Sequence, residues 1–155
     1  MATDLDFLSP TDKPALLAIG DPDSLAACKL VLGELAYKIH VISSHEEFAS
    51  RFSQVQYQVV LVDELFSAKL PVENVTLQTI KAMPMGQRRH AVVVLLGASF
   101  QTLNPMQAFH QSMHAVVNRG DLGRLSQVLQ QIIADNNLFL NVYREAQLRM
   151  AQGKA

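Results

Sequence analysis

The chain has 155 residues, 49% of them hydrophobic and 17% charged, a balance that suits one globular domain with a real core. A formal charge of −1 and a pI near 6.5 give no basic field for nucleic acid, and the Arg88-Arg89 pair is too small to make a basic stripe. Cys28 is the only cysteine, which excludes an intramolecular disulfide and a multi-cysteine zinc site.

The leader over 1–13 is polar and marked by proline, and the opening MATDLDFLSPTDKP carries acids where a signal peptide carries bases. No apolar run approaches the roughly 20 residues that cross a bilayer, so the expected setting is reducing and cytoplasmic, without membrane contact. Ala15 to Ile19 (ALLAI) reads as a short buried strand, and Gly20-Asp21-Pro22-Asp23 as its exit turn. Asp23 is expected to cap a helix from Ser24 to about Ala36, on which Leu25, Cys28, Leu30, Val31 and Leu35 keep a helical period. Cys28 is then a buried thiol rather than a reactive one.

A second strand is expected over Ile39 to Ile42 and a second helix carries Phe48, Phe52 and Val55. Residues Gln58 to Glu64 (QVVLVDE) form an apolar, β-branched run ending abruptly in Asp63, the pattern of a strand buried on both faces of a parallel sheet. A carboxylate there sits on the edge where open α/β sheets place their sites. Leu65 to Val75 is irregular, and a third helix from Thr76 to Met83 is stopped by Pro84. Ala91 to Leu96 (AVVVLL) is the fourth strand, ending at Gly97. Asn104-Pro105 opens a fourth helix holding Met106, Phe109 and Met113, and Ala115 to Val117 makes a fifth strand. Asp121 is expected to cap a long terminal helix.

This alternation predicts a three-layer α/β/α, flavodoxin-like fold with a five-stranded parallel sheet of order 2-1-3-4-5 and an extended C-terminal helix. The domain is expected over 14–135 and a helical extension over 136–155.

Through LLAIGDPDS, YQVVLVDE, VVLLGAS and AVVNRGD, the chain resembles the receiver domain of bacterial two-component response regulators, in an atypical form. The resemblance implies that Asp63 matches the phospho-acceptor and that Asp21 matches the second acid of a magnesium-binding pair, reduced here to Gly20-Asp21. Four further positions depart from that pattern. Gly97 replaces a threonine or serine, Asn118 replaces a lysine with Arg119 in place of the following proline, and Ala115 replaces an aromatic residue that reorients on switching.

An acyl phosphate on Asp63 concentrates negative charge beside an existing carboxylate, so a divalent cation and a lysine are needed to offset it. Here the lysine is gone, one magnesium ligand is gone and no hydroxyl stands at 97. Arg119 is the substitute cation in reach of the right region, one residue out of register, and Asn118 a neutral donor. Two bland roles compete with chemistry: Asp63 as a turn cap and Asp21 as a helix-dipole partner. Glu64 reads as solvated. His110 and His114 lie four apart, a metal-ligand spacing that lacks a third ligand. No nucleophile-elbow sequence appears, so no enzyme is expected.

From Leu122 the positions Leu125, Leu129, Ile132, Asn136, Phe139, Tyr143, Ala146 and Met150 alternate steps of three and four, a heptad seam. A helix running through Gln152 would be about 45 Å long, more than the domain can cover; alternatively, Asp135-Asn136-Asn137 breaks it. Leu129, Ile132, Asn136, Phe139, Tyr143 and Met150 are the candidate interface. The expected role is a signalling module acting by protein contact, as a homodimer or docked on a protein partner, without phosphotransfer. Two alternatives stay open: a phospho-accepting receiver with Asp63 modified and magnesium on Asp21 and Asp63, and a small-molecule or nucleotide sensor in the room opened by Gly97.

Overall fold

Five short apolar runs become the five strands: β1 (Pro14–Ala18), β2 (Lys38–Val41), β3 (Val59–Asp63), β4 (Val92–Gly97) and β5 (Ala115–Asn118). All pair in parallel, in the order β2-β1-β3-β4-β5. Every residue of β1, β3 and β4 is buried, which is why these runs are continuously apolar rather than alternating. The computed structural model describes residues 8, 9 and 11–153, so most of the expected leader over 1–13 lies outside the described residues, as do the last two of the expected extension.

Successive side chains point to opposite faces, so the sheet feeds two cores. On one face Leu16, Val60, Val62, Val93 and Leu95 meet Phe48 of α2 (His45–Gln54), Leu77 and Ile80 of α3 (Val75–Ala82) and Ala108 of α5 (Pro105–Gln111). On the other, Leu17, Leu61, Val94 and Val117 meet Cys28 and Leu32 of α1 (Pro22–Glu34) and Leu125, Leu129 and Ile132 of α6 (Leu125–Ala151). A one-turn helix, α4 (Met85–Arg88), lies between α3 and β4. The sequence gives little sign of it, because Pro84 ends α3 and only four residues remain to make the turn.

Three local expectations are corrected. Asp21, not Asp23, is the N-cap of α1, because Pro22 already has the fixed φ that suits the first helical position. The helix of Met106 and Phe109 ends at Gln111, where Ser112 adopts a left-handed φ of 58°; Met113 drops into the core and His114 leads into β5, so the two histidines share no helix face. After β5 a 3-10 turn covers Arg119–Arg124 before α6 begins, and Asp121 accepts from the Thr102 hydroxyl instead of capping α6.

α6 is continuous for 27 residues, about 40 Å at 1.5 Å per residue, and passes Asp135-Asn136-Asn137 without a break. Its first half is built into the core. It then runs past Gln58 and Val92 at the starts of β3 and β4, where Tyr143 accepts a 3.0 Å hydrogen bond from Arg89 Nη1. The second half therefore leaves the body at the end of the sheet opposite Asp63. Among the described residues no helix is long and apolar enough to cross a membrane.

Candidate functional site

Parallel pairing brings the ends of β3, β4 and β5 to one rim, with Asp63 beside Leu96 and Gly97 beside Asn118. Asp63 closes β3 with a side chain only 4% exposed. Both of its oxygens are taken. Arg119 Nε donates to Oδ2 at 2.8 Å and Nη2 to Oδ1 at 2.6 Å, a two-point guanidinium–carboxylate fork, and the Leu65 backbone N–H adds a 2.8 Å bond to Oδ1. The 3-10 turn after β5 carries Arg119 back over the rim, and Arg119 reaches past the end of β4 to join β3. Hydrogen bonding to Asp63 holds the guanidinium's pKa up, with smaller contributions from the charges of Asp63, Glu64 and Asp21.

Glu64 is not simply solvated. A Cβ built on Gly97 would lie 2.6 Å from both Cδ and Oε1 of Glu64 and 2.7 Å from Cε2 of Phe100. The space above Gly97 is thus filled by an acid and an aromatic edge, and this is the space a ligand-sensing pocket there would need. The β3–α3 loop is held from below by Asn74, fully buried, whose Nδ2 donates at 3.1 Å to the carbonyls of Asp63 and Glu64 while its Oδ1 caps α3. The sequence shows Asn74 only as a loop residue, though its place just before a helix is a cap signal.

The remaining candidates have structural work. Asn118 Nδ2 donates to the carbonyls of Ala98 at 3.1 Å and Phe100 at 2.7 Å, and its Oδ1 accepts from Gly120 N–H, so it ties the β4–α5 loop to β5. Asp21 Oδ2 accepts from Ser24 N–H at 2.9 Å and from its hydroxyl at 2.8 Å, bonds that hold the carboxyl below its ordinary pKa. A Cβ built on exposed Gly20, where the resemblance implies an acid, meets no atom within 4 Å beyond its chain neighbours, so the rim is open on that side. Ala115 is buried in the second core.

Magnesium takes near-octahedral oxygen ligands and keeps its waters. Asp21 and Asp63 do not match that demand: three N–H groups already bind the Asp63 oxygens, and a guanidinium stands where a dication would be repelled. Among the described residues no three acids, histidines or cysteines are placed to hold a metal. His110 is exposed on α5, whereas Nδ1 of His114 accepts a 3.0 Å bond from Val93 N–H.

Of the six candidate interface positions, Leu129 and Ile132 are spent on the chain's own core. Asn136 is half-buried, Tyr143 is partly covered by Arg89, and Phe139 and Met150 are 67% and 76% exposed.

No family model matches the chain, and no curated protein does. Among solved structures it is similar to a response regulator from Thermotoga maritima, at 13% identity and TM-score 0.61 over 79% of this chain and 98% of that one. It is also similar to a CheY-like response regulator receiver domain from Methylobacillus flagellatus, at 16% identity and TM-score 0.57 over 79% and 99%. A third likeness, to NtrX from Brucella abortus in complex with ADP, has 13% identity and TM-score 0.65 and covers 94% of this chain and 31% of that one. The fold is that of response-regulator receiver domains.

Proposed function

We propose that this chain is a divergent receiver-like module that signals through protein contact, without phosphotransfer, without magnesium and without turnover of its own. The observation that carries the reading is the Arg119–Asp63 fork. In-line attack on a phosphodonor needs a free carboxylate oxygen facing solvent, and here both oxygens are engaged by fixed donors. The loss of a hydroxyl at 97 and of a lysine at 118 supports the same reading, because no side chain at those positions would follow a phosphate. The contact is assigned to the exposed distal half of α6, to a protein partner or a second copy.

Incubation with acetyl phosphate and magnesium, followed by intact mass measurement, tests the silent rim. No adduct is expected on the native chain. A phosphate adduct that disappears in Asp63→Asn would overturn the proposal and install the phospho-accepting alternative.

A further inference from the structure

The seam of α6 is one continuous stripe with two fates. Leu125, Leu129 and Ile132 are buried in the core with α1 and the sheet; Phe139 and Met150 continue the same face in the open, with Tyr143 between them partly covered by Arg89. Val142 and Leu138 flank it and are equally uncovered. Such a stripe needs an occupant of the same geometry, another helix with apolar residues in steps of three and four.

We infer that the occupant is α6 of a second copy, lying antiparallel, with Asp135 of each chain facing Arg149 of the other. This rests on the contact reading above but not on the chemistry of the rim. The argument is one of register. With Asn136, Tyr143 and Met150 at a positions and Phe139 and Ala146 at d, the flanking g positions are Asp135, Val142 and Arg149. In an antiparallel pair g faces g. Aligning Phe139 with the partner's Tyr143 then sets Asp135 against the partner's Arg149 twice, and Val142 against the partner's Val142 on the two-fold axis, an isologous and self-complementary arrangement.

A parallel pair offers no such match, because Asp135 would face Leu140, Val142 would face Gln147 and Asn136 would face Asn136. Neither Asp135 nor Arg149 forms an ion pair among the described residues, so both charges are available. The same alignment lays the partner's Met150 against the groove between α5, β5 and α6, lined by Leu103, Ala108, Ala115 and Ile132. The apolar stripe supplies the affinity and the charges choose the direction.

Sedimentation of the full chain is expected to show a dimer at micromolar concentration. Asp135→Arg and Arg149→Asp each turn two attractions into repulsions and should weaken self-association roughly tenfold; mixed together, the two variants should pair with each other, and the double variant should regain the native affinity. Val142→Cys should be joined across the axis by a short bis-maleimide, with buried Cys28 unreactive. A native chain that stays monomeric, or one in which Phe139→Cys is joined and Val142→Cys is not, would overturn the inference. A phosphate adduct on Asp63 would sink the silent rim and leave this pairing intact, whereas a monomer without an adduct would do the reverse.

Discussion

The rim at the C-terminal ends of the strands and the distal half of α6 stand at opposite ends of the molecule, and they differ in what they leave unmet. At the rim the polar side chains are taken up internally: Asp63 has Arg119, Glu64 fills the space over Gly97, and Asn118 holds two loop carbonyls. Along α6 beyond Asn136 the reverse holds, with Phe139, Val142 and Met150 open to solvent. The rim at the strand ends is self-sufficient, and the unmet surface lies on an appendage.

The sharpest way to test that contrast uses one seam. Leu129→Ala opens a cavity at a fully buried position and should lower stability by about 2–5 kcal/mol in chemical denaturation, whereas Phe139→Ala on the same stripe should stay within about 0.5 kcal/mol for the isolated chain. A comparable loss at both sites would mean that the distal half packs on its own domain after all.

At the rim, Arg119→Ala leaves a buried carboxylate with the Leu65 amide alone. The expected loss is about 2–3 kcal/mol, below the value for a fully buried pair because Arg119 is 26% exposed. Arg119→Lys keeps the charge but not the fork and should lose less; equal losses would show that the geometry of the pair does not matter.

Gly97→Thr asks whether the rim has room to regain a hydroxyl. Its Cβ meets a movable Glu64 and a buried Phe100 ring, so a cost of about 1–3 kcal/mol is expected, relieved in part by Glu64→Ala. No relief would place the strain on Phe100.

The smallest effect is a pH slope. Burial, with a lesser push from Arg88, lowers the His114 pKa to about 4, and burial lowers that of His90 as well. The unfolded chain therefore binds more protons than the folded one between about 6.5 and 4. Stability is full above that window and falls as pH drops through it. Protonation would also end the bond that Nδ1 accepts from Val93. Part of His114 remains open to solvent, which softens the slope. His114→Gln should flatten it in melts between pH 7 and pH 4, and an unchanged slope would shift the effect to His90.

Much of the fold was legible because VVLVD and VVVLLG can be little else than strands buried on both faces, and because proline and glycine punctuate the chain where it turns. The candidate site was legible only in part. Asp63 could be placed from its strand, but Arg119 looked one residue out of register, since register counts positions along a strand and this residue lies in a 3-10 turn that folds back over the rim. Glu64 was misread for a related reason: the emptiness of Gly97 is visible in the sequence, while what moves in to fill it is a tertiary fact. The spacing of His110 and His114 gives no shared helix face because one left-handed residue, Ser112, ends the helix between them.

The guanidinium clasped to Asp63 is a counterion encoded in the chain itself. On the proposed reading, that rim would offer another enzyme no charge state to set, and the variable left to a regulatory circuit would be the abundance of the chain: doubling the number of chains would change how many pair through α6, with nothing added to or removed from any one of them.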